Sequence, residues 1–142
     1  MRLKIFLIFS FFASLISCSV KEYDGIEIPY SIHIRTDFLD RKVRNVIKSA
    51  LNNEPNSFKD LIELSDEVDG ESAYDLGYVL TQIINRIGED NFLELTKELS
   101  NDEKQLLKSF IMVGLEYGDN NYDGKIDNEK IENVYERINQ KF

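Results

Sequence analysis

The sequence predicts an all-α protein, a bundle of about six short antiparallel helices entered by an extended N-terminal arm. Three observations lead there. From Thr36 onward the apolar residues recur every three or four positions, the spacing of one helix face. Helix punctuation falls between these runs, with Thr36 and Ser100 as caps and Asn52 to Pro55, Gly88 and Gly118 as stops. Before Thr36, the segment Ile26 to Arg35 alternates with period two, and no later strand pattern is present to pair with it. Six amphipathic segments with short connections can satisfy one another as antiparallel neighbours, which predicts a monomer.

Along the arm, Ile26, Ile28, Tyr30, Ile32 and Ile34 share one side, and Glu27, Pro29, Ser31, His33 and Arg35 the other. Pro29 has no amide donor, so the arm can be only an edge strand. It either lays its isoleucines across the helical core or is offered to a partner's sheet edge. The first helix places Leu39, Val43, Val46, Ile47, Ala50 and Leu51 on one face. A shorter one after Ser57 carries Phe58, Leu61, Ile62 and Val68. The third, from about Ser72 to Ile87, aligns Ala73, Leu76, Leu80, Ile83, Ile84 and Ile87. Phe92 to Leu99 is a short fourth. Ser100-Asn101-Asp102-Glu103 has the capping-box pattern and opens a fifth, with Leu106, Leu107, Phe110, Ile111 and Tyr117 inward. The sixth, about Asn128 to Lys141, carries the stripe Ile131, Val134, Tyr135, Ile138 and Phe142.

Residues 1 to 17 have another character. Arg2 and Lys4 precede the apolar run Ile5 to Phe12, and Ala13 to Ser17 shifts to smaller residues, the layout of a secretory signal. The run is shorter than the roughly 20 apolar residues of a membrane span and meets Lys21-Glu22 at once. Its ending, Leu15-Ile16-Ser17-Cys18, resembles the lipobox of bacterial lipoprotein signal peptides, and Cys18 is the single cysteine of the chain. The resemblance implies cleavage before Cys18, acylation of its sulfur, and a mature N-terminus held in a bacterial membrane by two or more acyl chains. Ser19, where inner-membrane lipoproteins often carry aspartate, implies the outer membrane rather than the inner, with the domain facing the periplasm or the surface. Residues 18–25 then serve as lipid anchor and tether, and residues 26–142 form the helical domain, arm 26–35 included.

Two of the seventeen basic side chains lie in residues 1 to 17, leaving fifteen against 26 acidic ones, a side-chain charge of −11. Such a chain repels nucleic-acid phosphates and attracts cations or a basic protein. With Cys18 taken by lipid, disulfide and thiol chemistry are excluded.

Between the last two helices lies Asp119-Asn120-Asn121-Tyr122-Asp123-Gly124-Lys125-Ile126-Asp127-Asn128-Glu129-Lys130. This resembles the calcium loop of an EF-hand. Asp119, Asn121 and Asp123 match the oxygen ligands at the first, third and fifth positions, and Gly124 matches the turn at the sixth. The resemblance implies that Lys125 offers its carbonyl, that Ile126 is the buried eighth residue, and that Asp127 coordinates directly or through water. The departure is Lys130, which stands where the family has a bidentate glutamate. That change removes two of about seven oxygen ligands and adds a positive charge, so weak calcium binding is expected. An acidic Asp-Gly turn without an ion is the alternative.

A second acidic stretch, with Asp66, Glu67, Asp69 and Glu71, surrounds the bend before the third helix, and Tyr74 and Tyr78 follow one turn apart. These residues form either a solvated helix end or a docking surface for a basic protein partner. Motifs for catalysis are scant: the single histidine, His33, lies in the arm, and there is no phosphate-binding glycine loop. The function expected is therefore a non-catalytic binding module on a membrane anchor. Two alternatives come with it: an immunity protein against a periplasmic cell-wall-degrading toxin, by analogy of size and charge alone, and a cation-dependent hydrolase.

Overall fold

The computed structural model describes residues 21–142; the expected signal peptide, Cys18 and the start of the tether lie outside the described residues. The fold is all-α, with eight helices and one small hairpin among the described residues.

Lys21–Tyr23 (β1) pairs antiparallel with Ile26–Ile28 (β2), Lys21 opposite Ile28 and Tyr23 opposite Ile26. Asp24 and Gly25 form the two-residue turn with φ of 51° and 76°. Asp-Gly suits it because both central positions of such a turn need positive φ. The structure thus corrects the reading of residues 18–25 as a plain tether, since Lys21–Tyr23 is a strand and Asp24–Gly25 its turn. It also divides the expected arm. The chain is extended only to Ile28, and Tyr30–Arg35 is a helix, α1. The Pro29 carbonyl accepts from Ile32 N at 3.1 Å, and its ring fixes φ at −58° ahead of the first turn. Helical spacing explains the burial: Ile32 is fully buried, whereas Tyr30 and Ile34 are 70% and 54% exposed. The outer edge of β2 is closed from within the chain. Glu27 N donates to Gln82 Oε1 at 2.8 Å, and Gln82 Nε2 donates to the Glu27 carbonyl at 3.1 Å, so the side-chain amide takes the place of a third strand.

The next helices run close to the sequence's prediction, except that the one after Ser57 ends at Ser65 and leaves Val68, expected on it, beyond its end. They are α2 (Asp37–Leu51), α3 (Ser57–Ser65), α4 (Glu71–Ile87) and α6 (Asn101–Tyr117). Thr36 caps α2 by accepting from Leu39 N at 3.0 Å. Ser100 and Glu103 make the reciprocal capping box of α6, with Glu103 N donating to Ser100 Oγ at 3.3 Å and Ser100 N to Glu103 Oε2 at 2.8 Å. Helix α5 (Glu89–Leu95) begins three residues early because the Gly88 carbonyl already accepts from Phe92 N. The expected sixth helix starts late and is broken into α7 (Ile131–Val134) and α8 (Glu136–Lys141) at Tyr135, where φ is −127° and ψ 68°. The break turns the Tyr135 phenol inward, to donate to the Thr81 carbonyl at 3.2 Å beside Asn85.

Helix α4 is the centre of the molecule, with every residue from Leu76 to Ile84 buried. Phe58 of α3 meets Phe92 of α5 edge to face with centroids 4.7 Å apart. Helix α6 packs on α4 through two glycines. A Cβ at Gly77 would lie 2.5 Å from the Phe110 carbonyl oxygen, and one at Gly114 would collide with the Gly77 carbonyl. Tyr74 meets Tyr117 as Gly77 meets Gly114, the order of antiparallel neighbours. Three residues expected inward are partly exposed: Leu106 at 37%, Tyr117 at 51% and Val134 at 37%. No helix among the described residues is long and apolar enough to cross a membrane.

Candidate functional site

The loop from Asp119 to Lys130 leaves α6 at Gly118, whose amide donates to the Gly114 carbonyl at 3.0 Å. It returns toward α7 with Glu129 N bonded to the Leu115 carbonyl at 2.9 Å. Inside it, side-chain oxygens accept backbone amides. Asp119 Oδ1 and Oδ2 take Asp123 N at 2.9 Å and Gly124 N at 2.7 Å. Asn121 Oδ1 also accepts Asp123 N, and Asp123 Oδ1 accepts Lys125 N, both at 2.9 Å. Asp127 closes the ring, accepting Asn120 N at 2.5 Å and the Asn121 side-chain amide at 2.7 Å. Gly124 has φ of 82°, the left-handed conformation that a side chain resists.

Asp119, Asn121, Asp123 and Asp127 are therefore joined in one hydrogen-bonded turn. The atoms they could offer an ion are oxygens, the chemistry of a hard cation. The same geometry shows what is lacking. Among the described residues no three acidic, histidine or cysteine side chains are gathered as a metal group. Both Asp119 oxygens are occupied by amides, and Lys125 Nζ sits 3.6 Å from Asp123 Oδ2. Ile126 departs from its expected burial and is 64% exposed. Lys130 is exposed.

The base of the loop is tied to α4 and the hairpin. Tyr78 is buried, and its hydroxyl donates to the Asp119 carbonyl at 3.0 Å and lies 3.4 Å from Glu27 Oε2. Thr81 Oγ1 donates to Asn120 Oδ1 at 2.7 Å, and Tyr122 OH to Gln82 Oε1 at 3.3 Å. Burial raises the Glu27 pKa, aided by the negative charges of Asp119, Glu22 and Asp75, with the Tyr78 hydrogen bond opposing. Burial likewise raises Asp75, whose carboxylate accepts from Ser31. Tyr78 is raised by burial and by Glu27. These supports escape sequence reading because Glu27, Tyr78 and Asp119 are far apart in the chain; a lone glutamate among isoleucines was the available signal.

The second acidic stretch is only partly one surface. Asp66, Glu67, Asp69 and Glu71 are exposed around the bend between α3 and α4. Glu67 is engaged, with Lys42 Nζ 2.5 Å from its Oε1. Tyr74 is half exposed and stands edge-on to Tyr117 at 5.2 Å. Tyr78 is a correction: it is 8% exposed and faces the loop base, so it cannot serve as a surface anchor beside Tyr74. Its neighbour Gly118 brings α6 against the ring, and that contact covers it.

Comparison with family models, with curated proteins and with solved structures finds no match for this chain.

Proposed function

We propose that the protein is a lipid-anchored envelope protein that acts as a non-catalytic binding module, and that its loop 119–130 takes calcium weakly. One observation carries the calcium reading: four oxygen-bearing side chains at the first, third, fifth and ninth positions are held in one turn by backbone amides, around a left-handed glycine. A bare Asp-Gly turn needs no such set. The Leu15-Ile16-Ser17-Cys18 ending supports the anchor. With Lys130 at the twelfth position and Lys125 beside Asp123, affinity falls in the range of extracellular modules, about 10⁻⁴ to 10⁻³ M. At that strength the loop responds to envelope calcium and adds to the stability of the domain.

Titration calorimetry with calcium tests this on the mature chain. The expected result is one weak, saturable site that disappears in Asp119→Ala/Asp123→Ala with the helical spectrum intact. Identical heats in wild type and double variant would end the calcium reading. The anchor is tested separately: Cys18→Ala should abolish acyl labelling and membrane fractionation, and a variant that still labels and fractionates like wild type would refute it.

A further inference from the structure

Beside the α4–α6 contact lies an apolar groove of about 290 Å³. Gly70 with Ala73 and Tyr74 of α4 forms one wall, and Leu106, Ser109, Phe110 and Val113 of α6 the other. It exists because Gly77 and Gly114 let the helix backbones touch, so the longer side chains on either side of that contact stand apart at the surface. Leu106 is 37% exposed and Tyr74 50%, and the Tyr74 ring stands 5.2 Å from that of Tyr117. The rim is acidic. Exposed Glu71 stands next to the Gly70 end, Asp102 one turn before Leu106 on the same face of α6, and Glu116 beside Tyr117. Glu116 lies seven residues after Ser109 and three after Val113, the spacing that puts it on the same face of α6. The basic residues of α6 point elsewhere: Lys104 Nζ donates to the Lys97 carbonyl at 3.1 Å and Lys108 Nζ to the Asn139 carbonyl at 3.2 Å.

We infer that this groove docks a basic amphipathic helix of a partner protein, its leucine-type anchors seated along Leu106, Phe110 and Val113 and its lysines or arginines meeting Glu71, Asp102 and Glu116. The inference rests on the binding-module reading and names the partner's chemistry. The charge decides the occupant, because a second copy of so acidic a chain would bring like charges rim to rim. From Leu106 to Val113 the wall is two helical turns long, which fits anchors at i, i+3 or i+4, and i+7 of a short helix.

The test uses a 14-residue peptide of leucine, lysine and alanine with its leucines at that spacing, a scrambled peptide of the same composition, and a version with glutamate for lysine. Each is titrated into the ¹⁵N-labelled chain from residue 18 onward, whose core closes within residues 21–142, with and without calcium. The expected result is saturable shift changes at Ala73, Tyr74, Leu106 and Val113 with the first peptide alone, and affinity about tenfold or more lower in Leu106→Lys and in Glu71→Lys/Asp102→Lys. Shifts of equal size with the scrambled peptide, shifts spread over the acidic surface without saturation, or groove shifts that depend on protein concentration alone would each overturn it. Because the loop is probed by its own variant, calcium binding unchanged in Asp119→Ala/Asp123→Ala with groove binding intact refutes the loop and spares the groove.

Discussion

The Tyr78 hydroxyl donates to the Asp119 carbonyl at 3.0 Å, so the first residue of the acidic loop hangs from the most buried helix of the fold. The same hydroxyl faces Glu27 of the hairpin at 3.4 Å. One phenol therefore joins the N-terminal strand pair, the central helix and the loop.

Tyr78→Phe should lower stability by about 1 kcal/mol, the net worth of one buried hydrogen bond, and more if the Asp119 carbonyl is left without a donor. Urea unfolding measures it. If calcium reads this geometry, the variant should also weaken calcium binding, while a stability loss with unchanged calcium affinity would show that the loop keeps its shape unaided.

Gly114→Ala should be among the most damaging single changes in the chain. The new methyl would collide with the Gly77 carbonyl and with Thr81, and both walls are helix, so α4 and α6 must separate. Overpacking of this kind costs about 1 to 3 kcal/mol, more when backbone must move. Exposed Gly124→Ala offers a contrast, since it touches nothing and is resisted only by its φ of 82°. Equal denaturation midpoints for Gly114→Ala and wild type would show that the helices do not approach this closely.

Glu27 and Asp75 should add stability as pH falls through their raised pKa values toward the ordinary 4.5 and 3.8. Glu27 and Asp75 both have raised pKa values, so their charged forms oppose the fold and protonation in the folded state relieves it. The gain is complete once pH drops below the ordinary carboxylate pKa values of the unfolded chain. Asp40 acts in the opposite sense. Burial pushes it up, but hydrogen bonds from Arg44 and Lys21 outweigh this and hold it below its ordinary value of 3.8, so its contribution is lost as pH falls below that point. Glu27→Gln should raise the melting temperature at pH 7 and flatten the rise seen as pH falls toward the ordinary carboxylate value of 4.5. A Gln variant less stable than wild type at pH 7 would contradict the assignment.

Local signals were legible in the sequence and long-range ones were not. The capping box at Ser100 and Glu103, the cap at Thr36 and most of the apolar stripes of α2, α3, α4 and α6 depend on neighbours within a turn, and the structure places them as read, except exposed Leu106 and Tyr117 and Val68 beyond the end of α3. The hairpin rests on Asp24-Gly25, also a local signal, but the segment before it is too short and polar to show an alternating pattern. Beyond Pro29, alternation continued in name while the proline started a helix, so two periods competed over ten residues. Gly77 and Gly114 carry no mark in either helix; each is required only by the other. Tyr74 and Tyr78 illustrate the same limit. They are four residues apart on one helix, yet α6 covers Tyr78 and leaves Tyr74 half exposed. The loop was legible by spacing alone, and its ring of amides follows that spacing, but exposed Ile126 does not.

Lys130→Glu returns a carboxylate to the twelfth position and removes a positive charge there. Calcium affinity should rise at least tenfold, about 1.4 kcal/mol, in the calorimetric titration. An unchanged affinity would mean that residue 130 does not turn toward the ion.

The melting temperature in calcium tests the central claim most directly. With Kd near 1 mM, 10 mM calcium adds roughly 1.4 kcal/mol through preferential binding to the folded state, a shift of about 3 to 8 °C. Magnesium and sodium at matched ionic strength control for screening of so acidic a chain. The predicted result is a calcium shift larger than either control in wild type and absent in Asp119→Ala/Asp123→Ala. Equal shifts for all three salts, unaffected by the double variant, would contradict it and leave residues 119–130 as a turn.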